Sequence, residues 1–402
     1  MLKLIRQELL QPRGSNQVGL KQFNERVVLE AIRLNGALPK AELARFTGLT
    51  PQTIGLISSR LIQAGLLLRE DPVRGRIGQP SVPLRLNPEG AFGIGIKIGR
   101  RSTDALLVDL TGKVRARLVL DYAFPDAATL LPAVVEHLER LTNVLGSQAK
   151  RLVGVGVAAP FLMGGWHRLL GLSQAQSEVW NAIDLAAEVQ TMTALPVSFA
   201  RDTSAACLAE LVQGKGRDLK SFLYLFVDTF VGGGLVLQSR LHAGVHGNGG
   251  AVASMPLGLA QGGQPPDQLL SRASLWDLEQ NFIANALAPG AAYDERAMIE
   301  PWLTHTETWT LSAANALAQT IVSGTAFTDV DAVVIDGSMT PALRASLVQQ
   351  IEKALDGYNW EGLWKPTLHQ GSIGSDARAL GGALLPLHAN FSPNREVFLK
   401  VT

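Results

Sequence analysis

The order of strands and helices from Gly90 onward is the feature that most constrains the fold. The run AFGIGIKIGRRSTDALLVDLTGKVRARLVL predicts three consecutive strands, with Thr111-Gly112 in the second turn. A helix near LLPAVVEHLERLTNVL and a buried strand in RLVGVGVAAP follow. A strand pair, FLYLFVD and GGLVLQS, then begins a second series, which ends with the strand DAVVIDGS and the helix TPALRASLVQQIEKAL. Two such series predict two α/β lobes with a cleft between them.

A different pattern occupies the first ninety residues. Apolar residues at helical spacing predict a helix over 21–34, and a second helix is expected over about 40–46. Thr50 can cap a third helix that has Pro51 in its first turn. The sequence therefore predicts three short helices before the α/β series begins.

The spacing within the second and third helices is informative. Ala44 is small enough for two helices to approach closely, and Gly48 lies where the turn between them needs a left-handed backbone. Ile54 and Ile57 would pack the third helix against the second. This spacing predicts a helix-turn-helix.

Two segments after Gly65, LLLRED and VPLRLN, could form a two-stranded wing. The loop between them contains Arg74 and Arg76 beside glycine, as in basic fingers that enter a minor groove, although a polar interdomain loop is the alternative. The third helix would present polar groups to base edges and phosphates. The predicted DNA-binding residues are Thr50, Gln52, Thr53, Gly55, Ser59, Arg60, Arg74 and Arg76.

The charge distribution agrees with a polyanion partner for this part alone, although a solvated basic face is an open alternative. The first 90 residues carry 13 Lys and Arg against 7 Asp and Glu, a net charge of +6, whereas the remainder carries −5. The single cysteine, Cys207, excludes an internal disulfide and fits a reducing cytosol. The N-terminus is charged and no uncharged stretch is continuously apolar over the length of a bilayer span, so we expect a cytoplasmic protein without a membrane partner.

Five segments in a fixed order resemble the ROK family (repressors, open reading frames and sugar kinases), and the N-terminal module resembles its repressor branch. The segments are GIGIKIGRRSTDALLVDLTGKV, VGVGVAAP, VSFARDTSAACLAE, VDTFVGGGLVLQSRLHAGVHGNGGAVAS and IGSDARALGGALLPL. The resemblance implies a multidomain chain: an N-terminal winged helix-turn-helix and a two-lobed α/β actin-like ATPase/sugar-kinase (ribonuclease H-like) fold. The predicted domains are 1–88 for the DNA-binding module, 89–195 with 385–402 for the first lobe, and 196–384 for the second lobe, which would bind the effector and oligomerise.

The resemblance also shows which kinase groups are replaced. Family kinases have an acidic residue, two glycines and a threonine near ATP and its metal, but this chain has Lys97 at the acidic position, with Arg100 and Arg101 in place of the Gly-Thr pair. Arginine side chains do not bind Mg²⁺. The segment Asp336-Gly337-Ser338 stands where the family has consecutive glycines. We therefore predict no catalytic residue, no cofactor and no phosphotransfer.

The sugar site of the family is only partly retained. Family kinases have Asn-Asp where this chain has Arg201-Asp202, so the position of the general base survives, although Asp202 could instead cap the following helix. Ala251 and Ser254 stand at the family's glutamate and histidine positions, and the downstream cysteines of its zinc site are absent from the sequence, so we predict no metal. The predicted effector-binding residues are Arg201, Asp202, His246 and Asn248. Arg201 favours an acidic ligand, and an ordinary loop histidine is the alternative for His246.

These observations predict a sequence-specific DNA-binding transcriptional regulator, expected to repress carbohydrate-related genes. Its expected partners are a double-stranded operator, a sugar, sugar acid or sugar phosphate as effector, and further copies of itself in a homodimer or homotetramer. The alternatives are an active carbohydrate kinase with an appended DNA-binding module, and a regulator without a small-molecule effector.

Overall fold

The computed structural model describes residues 17–72, 81–165, 173–260 and 262–393 of the chain. These residues form an N-terminal module and two α/β lobes, each built on a five-stranded sheet. Within these ranges no helix is both long enough and apolar enough to cross a bilayer.

The N-terminal module consists of three helices and a two-stranded antiparallel hairpin. Its elements are α1 (Gln17–Asn35), α2 (Lys40–Thr47), α3 (Pro51–Gln63), β1 (Leu67–Arg69) and β2 (Leu84–Leu86). The three predicted helices are confirmed, and the two predicted wing segments pair with each other. Leu38, between α1 and α2, forms an additional bridge to Leu84.

The turn between α2 and α3 has the backbone that the sequence predicts. Gly48 has a φ of 69°, and its N–H donates to the carbonyl of Ala44, 3.0 Å away, which ends α2. Ile54 and Ile57 are buried in the core of the module beside Leu43, so their predicted packing is confirmed. Full burial of each such side chain contributes about 1.5–3 kcal/mol, and this small core holds α3 at a fixed angle to α2.

The first lobe is a sheet of order β5-β4-β3-β6-β7 with helices beside it. Its elements are β3 (Phe92–Ile98), β4 (Ser102–Asp109), β5 (Val114–Asp121), α4 (Ala127–Leu145), β6 (Leu152–Ala159), α5 (Gln174–Asn181), α6 (Leu185–Thr191) and β7 (Val197–Arg201). The strands β3, β4 and β5 are antiparallel neighbours, as their hairpin pattern predicts, and β6 and β7 run parallel to β3.

The second lobe repeats this arrangement. Its elements are α7 (Asp202–Gln213), β8 (Phe222–Val227), β9 (Gly232–Leu237), β10 (Arg240–Leu241), β11 (Pro256–Leu257), β12 (Asp267–Gln268), α8 (Leu270–Ala273), α9 (Leu275–Ala284), α10 (Trp302–Thr328), β13 (Ala332–Gly337), α11 (Pro341–Leu355) and β14 (Thr367–Gln370). The helix that follows, α12 (Ala377–Phe391), packs on β3, β4, β6 and β7 of the first sheet. The sheet has the order β10-β9-β8-β13-β14, again a hairpin followed by parallel strands. The prediction of two α/β series is confirmed.

Strand β7 belongs to the first sheet because it pairs in parallel with β6, with Arg201 opposite Ala159. The predicted boundary between residues 195 and 196 would assign this strand to the second lobe. The strand itself was expected near VSFA, but apolar periodicity does not reveal which of two sheets a strand joins.

Helices α7 and α12 pack together between the two sheets. One continuous apolar core joins Leu106 of β4, Leu208 of α7, Phe226 of β8 and Leu384 of α12. The approach is close at Gly381, where an added Cβ would lie 1.8 Å from the carbonyl oxygen of Ala205. The two helices therefore form a central layer that contacts both lobes.

Candidate functional site

The outward face of α3 carries the residues predicted to contact DNA. Thr50 caps the helix, its hydroxyl accepting from the Thr53 N–H at 3.2 Å, and Thr50 and Gln52 are exposed. Gly55 leaves open space above the helix, because an added Cβ would meet nothing within 4 Å. The first two turns of α3 thus form a polar, sterically open surface.

Two predicted residues further along α3 have intramolecular partners. The Ser59 hydroxyl donates to the Gly55 carbonyl at 2.9 Å, and Arg60 Nε lies 3.2 Å from Glu25 of α1. Sequence reasoning missed Leu56, whose side chain is exposed beside Gly55 and offers an apolar contact on the same surface. Arg74 and Arg76 lie outside the described residues.

A cleft of about 690 Å³ lies between the lobes. It opens at the carboxyl ends of parallel strands β6, β7 and β8, where α/β sheets commonly bind ligands. Three of the predicted effector residues, Arg201, Asp202 and Asn248, line it, and so do Ala251 and Ser254. His246 is exposed and is not among the lining residues, so the structure does not bring it to the cleft.

Lys97 at the end of β3 is buried in an ionic cluster on the first-lobe wall. Its ammonium lies 2.9 Å from Asp104 Oδ2 and donates to the Ser102 hydroxyl at 2.6 Å. Arg117 also binds Asp104, at 2.8 Å. Burial and the charge of Arg378 lower the pKa of Lys97, while Asp104 acts in the opposite direction. A fixed ammonium therefore occupies the position at which the family resemblance places an acidic residue.

Arg378, near the start of α12, joins two carboxylates. Its Nη1 lies 2.5 Å from Asp228 Oδ2, at the end of β8, and 3.8 Å from Asp202 Oδ2, at the start of α7. The other carboxylate oxygen of Asp202 accepts from the Thr203 N–H at 2.8 Å, so this residue also contacts the first turn of α7. Both carboxylates that line the cleft are thus already paired with a cation.

The ion pairs of Asp202 and Asp228 with Arg378 affect whether these carboxylates can bind a metal ion. Within the residues that the structure describes, no three or more His, Cys, Asp or Glu side chains form a group that could hold a metal ion. Asp228 is buried, and burial is the largest single effect and raises the pKa of its carboxyl, but Arg378, Ser338, Lys97 and the Thr229 N–H together keep that pKa below the ordinary value. The carboxylate therefore stays ionised as the partner of Arg378.

Arg201 is turned toward the backbone of the second lobe. It donates to the carbonyls of Gly233 and Gly249 at 2.5 and 2.8 Å, and to Asn248 Oδ1 at 2.8 Å. These bonds fix the glycine-rich loop that follows β10. The guanidinium therefore holds one wall of the cleft together, whereas the sequence had suggested that it recognises an acidic ligand.

Arg101 spans the cleft from the β3–β4 turn to α9. Its two terminal nitrogens bind the carboxylate of Glu279 at 2.5 and 2.7 Å, and Nη1 lies 3.3 Å from the Tyr293 hydroxyl. The hydrogen bonds that Arg101 donates to Glu279 raise the pKa of Arg101. This bidentate pair connects the two lobes, and the large separation of its members in the chain explains why sequence patterns gave no sign of it.

Arg100 differs from its neighbour because no carboxylate in the described parts of the chain lies within ion-pair distance. Its Nη2 donates to the Leu162 carbonyl at 3.3 Å, its Nε is buried without an acceptor, and its guanidinium stacks 4.9 Å from the centre of the Phe230 ring. It lines the cleft. Arg100 thus forms no ion pair within the described residues, although the charges of Asp202 and Asp228 act on it from a longer distance.

The N-terminal module contacts the far ends of α7 and α12. Arg33 Nη1 of α1 donates to the Val212 carbonyl at 2.5 Å, and Arg26 donates to the Ser392 carbonyl at 3.2 Å. In the opposite direction, Arg217, just after α7, donates a hydrogen bond to the Leu34 carbonyl of α1 at 2.9 Å. Because Asp202 and Arg378 at the opposite ends of these helices line the cleft, α7 and α12 each reach from the cleft to the module.

The fold and the cleft define a two-lobed, sugar-kinase-like protein that carries an additional N-terminal module. The chain belongs to the ROK family, whose model matches residues 93–389. It is 26% identical to the uncharacterized protein y4fQ of Sinorhizobium fredii, over 92% of each chain. It is also 21% identical to the xylose repressor of Bacillus subtilis, over 60% of this chain and 62% of that protein.

Solved structures show the same fold. A ROK family transcriptional regulator, a homologue of the E. coli MLC protein, aligns with 93% of this chain and 98% of its own, with a TM-score of 0.69 and 21% identity. A ROK family glucokinase from Streptomyces griseus, solved with glucose and AMPPNP, aligns with 73% of this chain and 99% of its own, with a TM-score of 0.58 and 17% identity. The regulator alignment extends over much more of this chain than the kinase alignment does.

Proposed function

We propose that this protein is a DNA-binding transcriptional regulator whose kinase-like body senses a ligand and does not transfer phosphate. The observation that carries the proposal is the course of α7 and α12, which begin at the cleft and end against the N-terminal module. Relatives named as repressors support it. By this analogy the protein acts in the cytoplasm as a repressor of carbohydrate-related genes.

The module is proposed to be a winged helix-turn-helix. Helix α3 would enter the major groove with Thr50, Gln52, Thr53 and Gly55 toward the bases, and the β1–β2 hairpin would form the wing. Ser59, Arg60, Arg74 and Arg76 would add phosphate or minor-groove contacts. A homodimer or homotetramer would bind a palindromic operator with half-sites about 10 bp apart, or a multiple of that distance.

The cleft chemistry supports ligand sensing. Lys97, held by Asp104, repels a divalent cation where a kinase of the family uses an acidic residue. Arg100 and Arg101 fill the space beside it with bulky side chains instead of glycine and threonine. These features weigh against phosphotransfer.

Coupling between the cleft and DNA would run through the central helices. A ligand that contacts Asp202 or Asn248 in one lobe arrangement and not in another would bias the position of α7. Since α7 has 12 residues, about 18 Å of rigid helix separates the cleft from the Arg33 contact. The close packing at Gly381 would make α12 move with α7.

A carbohydrate kinase with an appended DNA-binding module is the second candidate. The observation that favours it is Asp202, which stands at the position of the family's general base and lines the cleft. A carboxylate at this position could accept a proton from a sugar hydroxyl. The two candidates make opposite predictions for ATP turnover.

The experiment is an enrichment of random duplex DNA by the full-length protein, followed by titration of the enriched sequence at two salt concentrations. The regulator proposal predicts a palindromic motif bound at least about 10³-fold more tightly than random DNA. The same preparation is assayed for ATP hydrolysis with a panel of neutral and acidic sugars. Absence of an enriched motif would overturn the regulator proposal, and sugar-dependent ATP turnover would establish the kinase.

A further inference from the structure

We infer that the cleft takes an anionic carbohydrate, bearing a carboxylate or a phosphate, and that Arg100 binds its anionic group. The inference rests on the proposal that the cleft is an effector site, and it names the ligand class. It also moves the role of anion recognition from Arg201, where the sequence suggested it, to Arg100.

The charge of the described cleft wall is positive. Five cationic side chains line it, and they are Lys97, Arg100, Arg101, Arg201 and Arg378. Two carboxylates, Asp202 and Asp228, line it as well, and Asp104 and Glu279 pair with cleft cations from just behind the surface. Five cations against four carboxylates leave at least one positive charge for a ligand to neutralise.

The hydrogen-bond partners identify which cation is available. Lys97 and Arg101 each have a dedicated carboxylate, and Arg378 has two. Arg201 has three oxygen acceptors within 2.8 Å, all in the second lobe. Arg100 has one carbonyl at 3.3 Å and a buried Nε without an acceptor. The Nε atoms of Arg201 and Arg378 are also buried without an acceptor, but each of those side chains has at least one bond of 2.8 Å or shorter. Arg100 is therefore the cation of this set with the weakest partners in the described residues.

The setting of Arg100 suits a bound oxyanion. Its stacking on Phe230 fixes the guanidinium plane, which reduces the entropy lost when the fork of N–H donors binds two ligand oxygens. Asn248 and Asp202 line the same cleft and can hydrogen-bond hydroxyls. A volume of about 690 Å³ accommodates a sugar that carries an acidic substituent. Charged and hydroxyl-bearing parts of one ligand would thus have separate partners.

The test measures ligand-induced thermal stabilisation of the full chain at constant ionic strength. The probes are inorganic phosphate, glucose 6-phosphate, D-glucuronate and, as the uncharged counterpart, D-glucose. The variants are Arg100→Gln, Arg100→Lys and Arg140→Gln, which removes an exposed arginine on α4 as the matched control. We expect at least one anionic probe to stabilise the wild type and the control equally, and to bind at least 10-fold more weakly to Arg100→Gln.

The choice of probes and variants distinguishes a carboxylate ligand, a phosphate ligand and the absence of an anion site. Binding of glucuronate in preference to glucose 6-phosphate would assign a carboxylate, and the reverse preference a phosphate, while partial retention by Arg100→Lys would show that charge contributes. Equal affinity of wild type and Arg100→Gln for every probe overturns the inference, as does a wild type that none of the three anions stabilises. DNA enrichment is measured without any sugar, so its failure would count against the regulator proposal and not against the anion site.

Discussion

Arg378 Nη1 lies 2.5 Å from Asp228 Oδ2, and this one contact joins α12 to the end of the central strand of the second sheet. The same guanidinium lies 3.8 Å from Asp202 and 5.2 Å from the centre of the Phe226 ring. A single, mostly buried cation thus holds together the start of α12, the start of α7 and the end of β8. The floor of the cleft depends on its charge balance.

Replacement of Asp228 by asparagine should therefore destabilise the protein. The change leaves the mostly buried Arg378 with the more distant Asp202 as its remaining ion-pair partner, and we expect the free energy of unfolding at pH 7 to fall by about 3 kcal/mol. Urea unfolding measures it. The matched control is Asp267→Asn, which breaks an exposed pair with Arg272 and should cost less than about 1 kcal/mol. Equal losses in the two variants would contradict the assigned role.

Acid should also remove the contribution that the ionised Asp228 carboxylate makes to the free energy of unfolding. Since the pKa of Asp228 in the folded state is lower than in the unfolded chain, its ionisation stabilises the fold at neutral pH, and this stability is lost as the pH falls below about 4. The unfolding free energy of Asp228→Asn should consequently fall less steeply between pH 5 and 3 than that of the wild type. Parallel pH profiles of the wild type and Asp228→Asn would show that the pKa of Asp228 is not lowered in the folded protein.

The Arg101–Glu279 pair should hold the lobes in their observed arrangement. Arg101→Met leaves the buried carboxylate of Glu279 without its cation, and because Arg101 itself is half exposed we expect a loss of about 1–3 kcal/mol. Hydrogen exchange of α9 should also become faster. The control, Arg140→Met, removes an exposed pair within α4 and should change stability by less than about 0.5 kcal/mol. Unchanged exchange in α9 would mean that the pair does not restrain the lobes.

A negative charge on the open face of α3 should abolish specific DNA binding without unfolding the module. Gly55→Glu adds a side chain into space that is empty in the free protein, and glutamate favours a helix more than glycine does, so stability should not fall. Affinity for the enriched DNA should fall at least 10-fold, because the carboxylate would face the phosphates. Gln63→Glu adds the same group at the other end of α3 and should have a smaller effect. Equal affinities of the two variants for the enriched DNA would show that this face of α3 does not contact DNA.

The sequence predicted local features well because they depend on nearby residues. Gly48 and the caps and apolar spacing of α1 to α3 involve contacts only a few positions apart, and the hairpin pattern predicted both sheets. Long-range pairings were not predictable. The turning of Arg201 toward Gly233 and Gly249, and the pairing of Arg101 with Glu279, depend on how the lobes face each other. The exposed position of His246 likewise follows from the path of its loop.

Close contact between the central helices should make Gly381 intolerant of any side chain. In Gly381→Ala the new methyl would overlap the Ala205 carbonyl, a backbone atom that yields only if α7 and α12 separate. We expect a loss of about 3 kcal/mol in the free energy of unfolding. The matched control is Gly55→Ala, a helix position with free space, where alanine should add about 0.5–1 kcal/mol. A tolerated Gly381→Ala would show that the helix pair is not rigid.

His388 lies where α12 meets the N-terminal module, and it should make this junction sensitive to acid. Burial lowers its pKa to about 4, and the charged groups of α1 that face it, Glu30, Arg33 and Arg26, act in opposing directions. Its Nδ1 is 2.7 Å from the Ser392 hydroxyl. The neutral ring is therefore the form that fits the folded junction.

The sign of the pH dependence follows from that depressed value. The unfolded chain binds a proton near pH 6.5 and the folded chain only near pH 4, so the stability contributed by neutral His388 is complete above about pH 6.5 and is lost between those values. We expect the wild type to lose about 2–3 kcal/mol more than His388→Gln between pH 7 and 4, measured by urea unfolding. His242→Gln, at an exposed position, should keep the wild-type profile. If His388→Gln kept that profile too, protonation of His388 would not control the stability of the junction between the N-terminal module and α12.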